Sequence, residues 1–143
     1  MNKSNILFHS KDNQLILEHL YTVDDYTTFN IKIKSGQFAG ASSFCMPREN
    51  IISTIDILAK MNKSLQGSCI INDIDSDALI VFEMGNLGHM LIYGQIGGSH
   101  QDHFMKFSFL ADQTVLPGLI LLFKEFVLHR DFDSTGMLSE QLP

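Results

Sequence analysis

Between Cys69 and Leu110 the chain alternates short apolar runs with very short breaks, and nothing else in the sequence constrains the fold as tightly. Cys69 to Ile74, Ala78 to Met84 and His89 to Ile96 are separated by Asp75-Ser76 and by Gly85-Asn86-Leu87-Gly88. Both breaks hold the residue types that tight turns require. After Gly97-Gly98-Ser99, Phe104 to Leu110 reads as a further strand, with Phe107 and Phe109 on one face and Lys106 and Ser108 on the other. Strands joined this closely pair antiparallel, because parallel neighbours need a long crossover.

The first third carries the same signal. Leu15, Leu17 and His19 alternate with Ile16, Glu18 and Leu20, and Phe29, Ile31 and Ile33 alternate with Asn30, Lys32 and Lys34. Asp24-Asp25 between the two runs is a turn signal, so they form a hairpin. Gly36 to Met46 gives a weaker strand pattern because its residues are small. Pro47 then suits the first turn of a helix, where its missing N–H costs nothing. Ile51, Ile55 and Leu58, with Ile52 and Ala59 beside them, recur at helical spacing up to about Lys63, and Gly67 marks the exit. Near the end, Asp112 or Thr114 caps a helix holding Val115, Leu116, Leu119, Leu122, Phe123 and Phe126. That helix is apolar nearly all round and is expected to be deeply packed.

The predicted order is ββ(β)αββββα, an α+β class: a twisted antiparallel β-sheet with two helices packed on one face. The 143 residues fit one domain, and a tail from 131 to 143 without periodicity is expected to fray. Hydrophobic residues make up 45% of the chain, enough for a core without disulfides or metal staples. The two cysteines, Cys45 and Cys69, form no CxxC pair, and a chain opening Met1-Asn2-Lys3 without an apolar leader suits the reducing cytosol. The longest apolar stretch, Val115 to Phe123, falls short of the roughly 20 residues a membrane span needs. A net charge of −6 argues against direct nucleic-acid binding and favours a basic protein partner.

No motif calls for catalysis, cofactor or metal. Asp73-Ile74-Asp75-Ser76-Asp77 opens like a calcium loop, but Ala78 stands where the sharp turn needs Gly, and Met84 where a bidentate Glu belongs. The segment reads instead as an acidic turn suited to a cationic partner. His100, Asp102 and His103 are the densest set of metal-ligating types, yet Cys69, His89 and His129 follow no zinc spacing toward them. There is no GxSxG and no SxxK, and both thiols sit among apolar neighbours. Gly94-Gln95-Ile96-Gly97-Gly98 precedes a strand, so no helix N-terminus is there to hold a phosphate.

One long stretch looks familiar. A strand holding Leu91-Ile92-Tyr93-Gly94 leads to a glycine loop and then Phe107-Ser108-Phe109-Leu110-Ala111-Asp112-Gln113-Thr114-Val115-Leu116, running into an apolar helix. With Phe38-Ala39-Gly40 before the first helix and Leu65-Gln66-Gly67 after it, this resembles the WapI-like immunity proteins of bacterial polymorphic and contact-dependent toxin systems. The resemblance covers about residues 26 to 128. It implies a small cytosolic α+β protein that binds a cognate toxin domain, often a nuclease with a basic cleft, and carries no catalytic residue. No interface residue carries over from it. The charge pattern nominates Asp24, Asp25, Asp73, Asp75 and Asp77 as toxin-binding residues. The other function open to such a fold is a small-ligand-binding module on an open sheet face.

Overall fold

The computed structural model describes residues 4–128, so the expected tail over 131–143 and His129 lie outside the described residues. Eight strands and two helices follow in order: β1 (Ser4–His9), β2 (Asn13–Val23), β3 (Tyr26–Ser35), β4 (Phe38–Pro47), α1 (Arg48–Ser64), β5 (Ser68–Asn72), β6 (Leu79–Met84), β7 (His89–Ile96), β8 (Met105–Asp112) and α2 (Val115–Leu128). The α+β class and the antiparallel pairing are as expected. The strands divide, however, into two four-stranded sheets, β1-β2-β3-β4 and β5-β6-β7-β8, each paired strictly in chain order. The division falls at α1, which carries the chain out of the first sheet before the second begins. β1 is a strand that the sequence reading did not anticipate.

Alternation decides what each strand buries. In the first sheet Leu15, Leu17, Phe29, Ile31, Ile33, Phe44 and Met46 point inward, and in the second Cys69, Ile71, Ile80, Phe82, Met90, Ile92, Phe107 and Phe109 do so. All belong to one continuous core with the helices. Phe29 is its hub, with ring centroids 6.1 Å from Phe44, 5.9 Å from Phe123 and 5.2 Å from Phe126. Phe8 of β1 stacks on Phe109 of β8 at 5.8 Å, which closes the far side. These offset and edge-on ring pairs add to the area that they bury.

α1 follows Pro47, whose φ of −65° lies at the start of the helix. It buries Ile51, Thr54, Leu58 and Met61, and Ile55 packs partly buried against the core, so the Ile51/Ile55/Leu58 face read from spacing does point inward. Leu65 ends it in the left-handed conformation, donating its amide to the Met61 carbonyl at 2.7 Å. α2 buries Val115, Leu116, Leu119, Leu122, Phe123 and Phe126, but Leu121 is 61% exposed. The all-round burial expected of α2 therefore fails on one side. A packed helix has an outer surface whatever its composition, and here Leu121 and Leu128 share that surface with Lys124 and Glu125. Arg48 at the start of α1 donates to the Val127 carbonyl at the end of α2, where its charge also suits the helix dipole.

Candidate protein-binding surface

Two acidic turns converge on the end of β4. The first joins β2 to β3 through Asp24 and Asp25 alone, and both adopt positive φ, 52° and 65°. A two-residue hairpin whose twist matches its strands needs this backbone, and Asp tolerates it better than most residues. The Asp25 carbonyl accepts the Arg48 amide at 2.8 Å, so the turn is fixed to the first residue of α1. Both side chains are exposed.

Around this turn stand exposed apolar groups. Val23 pairs across the hairpin with Tyr26, and Tyr21 with Thr28, so Tyr21, Val23 and Tyr26 share the outer face. Tyr26 and Asp25 also line an open hollow of about 340 Å³ with Pro47, Arg48, Glu49 and Ile52. Carboxylates therefore surround aromatic and aliphatic surface. Neither Tyr21 nor Tyr26 was singled out by sequence reasoning, although their alternation beside the Asp pair was the available signal.

The second turn joins β5 to β6. Asp73 is buried, and its Oδ1 accepts the amides of Cys45 at 2.9 Å and Asp75 at 3.2 Å, while its Oδ2 accepts the Ser76 hydroxyl at 2.7 Å. The Ile74 amide adds a bond to the Cys45 carbonyl at 3.1 Å. Asp73 therefore holds the loop to the outer edge of β4 and has little capacity left for a partner. Asp75 and Ile74 remain exposed beside it. Asp77 turns toward the β7–β8 loop and accepts the Ser99 hydroxyl and, at 2.8 Å, the Ser99 amide. Those bonds, the hydroxyl's first, hold its carboxyl below the usual range.

Of the five nominated carboxylates, Asp24, Asp25 and Asp75 thus present exposed side chains on two sides of one strand end. Cys45, where Asp73 grips β4, lies two residues or about 7 Å along the strand from Pro47. Burial pushes its thiol upward, with Asp75 and Asp73 adding to the effect against a hydrogen bond from Thr28. Burial alone pushes Cys69 to about 11. Both thiols are poor nucleophiles at neutral pH.

Other sequence candidates fall elsewhere. His100, Asp102 and His103 are exposed on the β7–β8 loop, and among the described residues no three His, Cys, Asp or Glu side chains gather as a metal would need. Gly94 lies within β7, where any Cβ would come 2.1 Å from the Leu79 carbonyl oxygen; its role is close strand packing. Asp112 accepts the amide of Thr114 at 2.9 Å and its hydroxyl, closing the turn into α2. At the opposite end of β4 from the Asp24-Asp25 turn, exposed Phe38 and Phe104 flank an open groove of about 300 Å³ floored by Ala39, Gly40 and Ala41. Among the described residues no helix is long and apolar enough to cross a membrane. No family model, curated protein or solved structure matches this chain.

Proposed function

We propose that this protein is an immunity protein, which binds a cognate bacterial toxin domain in the cytosol and neutralises it without catalysis. The resemblance to WapI-like immunity proteins motivates the reading. The observation that carries it is the placing of Asp25 and Glu49 beside Tyr26 and Ile52 at one hollow, with Asp24 and the exposed Tyr21 next to it on the same hairpin. Tight interfaces combine aromatic anchors with a charged rim. Acidic side chains draw in a basic face, such as a nuclease cleft, and speed association; desolvated contacts at the tyrosines then slow release.

The test is binding and protection with the product of the gene beside this one. The Asp24→Asn, Asp25→Asn, Asp75→Asn triple variant is expected to associate more slowly, with the difference fading as salt rises. Tyr26→Ala is expected to raise the dissociation rate and reduce protection in cells. Absence of binding by the wild-type chain would overturn the proposal.

The groove between Phe38 and Phe104 favours a second reading, a small-ligand-binding module. Its volume of about 300 Å³ stands at the lower end for ligand sites. Saturable binding of a small planar molecule, abolished by Phe104→Ala and indifferent to the acidic triple variant, would move that reading to first place.

A further inference from the structure

β4 forms one edge of the first sheet, and its outer side is paired over only part of its length. At Cys45 the amide donates to Asp73 Oδ1 at 2.9 Å and the carbonyl accepts the Ile74 amide at 3.1 Å, so both groups face away from β3. The β3–β4 register runs without a shift, and backbone groups alternate sides along a strand. Those of Ala39, Ala41 and Ser43 therefore face the same way. Among the described residues no group pairs with them, and all three residues are exposed. Edge strands are ordinarily blunted by charge, proline, a bulge or a covering loop. From Phe38 to Met46 β4 has no charge, no proline and no bulge, and the described residues cover its edge at Cys45, through the turn at 73–76. Amides and carbonyls that recur at every second residue, about 7 Å apart, fit one kind of occupant, another extended backbone.

What flanks the edge on each face decides which side chains such a strand carries. On the outer face Lys32 and Lys34 of β3 stand in the rows of Ala41 and Ala39, and with Gln14 and Ile16 they line an open hollow of about 430 Å³. Lys32 pairs with Glu18 at 4.0 Å, and Lys34 has no ion-pair partner among the described residues. A residue added in either row lies about 10 Å from the Cα of the lysine, two strand spacings away, with only a methyl group between them. A carboxylate at that place meets the cation. On the inner face the intervening row belongs to Gly40, which opens on the groove lined by Phe38, Ile96, Phe104 and Met105. An apolar side chain fits there. Successive side chains of a strand point to opposite faces, so the matching pattern is acidic, apolar, acidic. A second copy of β4 lacks it: Ala39, Ala41 and Ser43 would face the lysines, and Gly40 or Ser42 the groove, leaving the cations unmatched and the groove unfilled.

We propose that the edge of β4 from Ala39 to Ser43 binds an extended acidic segment of another protein as an antiparallel fifth strand of the first sheet, its carboxylates against Lys32 and Lys34 and an apolar side chain between them in the groove beside Gly40. The site rests on neither functional reading above. It lies at the other end of β4 from the Asp24-Asp25 turn and selects the opposite charge. It also needs backbone pairing, which a small planar ligand does not.

The probe is an end-capped heptapeptide centred on Glu-Val-Glu, titrated into the full chain up to about 1 mM while NMR follows amide shifts and hydrogen exchange. In the free chain the Ala39, Ala41 and Ser43 amides should exchange rapidly, and saturating peptide should protect them. Lys34→Glu, and separately a peptide with lysines in place of its glutamates, should each weaken binding by about tenfold or more, with the difference shrinking as salt rises. N-methylation of the two glutamates removes the pairing donors and should abolish binding. Ala41→Pro makes the same deletion on the protein, at an edge position where proline leaves the β3 ladder intact. Should that variant fail to fold, the N-methylated peptide still tests the pairing on the unaltered chain. Protection of these three amides in the free chain, by its own residues 129–143 or by a second copy, means that the edge is already taken and overturns the proposal. Binding that survives N-methylation assigns the groove to a small ligand and equally overturns it. So does equal binding of the lysine peptide, or no binding at 1 mM.

Discussion

The two sheets have the same number of strands, the same sequential order and the same antiparallel pairing, yet their outer faces differ in degree of apolarity. On the first, Ser4, Glu18, Asn30 and Ser43 share a row, Ile6, Ile16, Lys32 and Ala41 the next, and Lys32 lies 4.0 Å from Glu18. On the second, Ser68, Glu83, Leu91 and Leu110 share a row, and Ile70, Val81, Tyr93 and Ser108 the next. The inner faces are equally apolar. The second outer face is the more apolar, with Ile70, Val81, Leu91, Leu110 and Tyr93 against Ile6, Ile16 and Ala41 on the first, and such cross-strand pairs add to the stability of the sheet that holds them.

If the inner faces are equivalent, deep truncations in either sheet should cost alike. Phe29 and Phe82 are both fully buried. Phe29→Ala and Phe82→Ala are each expected to lose about 3–5 kcal/mol in denaturant unfolding, a large share of the 5–15 kcal/mol typical of a domain. One large loss and one negligible loss would mean that only one sheet carries the core, and the comparison would fail. Leu119 and Phe123 of α2, also fully buried, belong to the same class, with about 2–5 kcal/mol expected for truncation.

Outer-face substitutions sharpen the contrast at smaller scale. Lys32→Ala should change stability by less than about 0.5 kcal/mol, because an exposed ion pair contributes little. Val81→Ala is expected to cost about 1–2 kcal/mol, since two methyl groups in an apolar cluster are lost. Equal effects at the two positions would show that the second sheet's outer face is ordinary solvated surface.

The acidic turns give a contrast of their own. Asp73→Asn removes an ionised acceptor from two amides and a hydroxyl, and should cost about 1–3 kcal/mol. Asp75→Asn, two residues along and exposed, should stay within about 0.5 kcal/mol. Thermal melts of the two variants distinguish a carboxylate that holds β4 from one left for a partner.

Much of this was legible in the sequence where a local rule applies. The Asp24-Asp25 hairpin, the α1 start at Pro47 and the run of short strands after Cys69 each follow from turn chemistry or side-chain period. What escaped depends on neighbours distant in the chain. Periodicity says that β4 and β5 are strands but not that α1 separates them into different sheets. β1 is only six residues long and broken by a register shift between Ile6 and Phe8, so it left a weak alternation signal. Composition makes α2 look buried on every side, while only contact with the sheet decides that Leu121 faces out. At the candidate site, charge nominated five aspartates alike; the fold assigns Asp73 to a strand edge and Asp77 to Ser99. A buried acceptor and an exposed charge are indistinguishable until the chain supplies or withholds amide donors.

The smallest expected effect concerns acid. Asp77, which holds the β7–β8 loop, and Asp112, which closes the turn into α2, both have carboxyls held below the usual range, by Ser99 and by Thr114, the hydroxyl's bond first in each case. A carboxylate with a lowered folded-state pKa contributes stability that is fully present above its unfolded value, near 3.9. That contribution is lost as pH falls through the folded value. Both groups are exposed, so solvent screens their effect, and it should amount to a few degrees in Tm at most. Asp77→Asn and Asp112→Asn should melt slightly below wild type at pH 7. Each gap should then narrow as pH drops from about 5 toward 2, because a protonated Asp and an Asn accept hydrogen bonds about equally. A gap that stays constant across that window would show that these carboxylates act through shape alone. The acid sensitivity of the second sheet's loops would then have to come from elsewhere in the molecule.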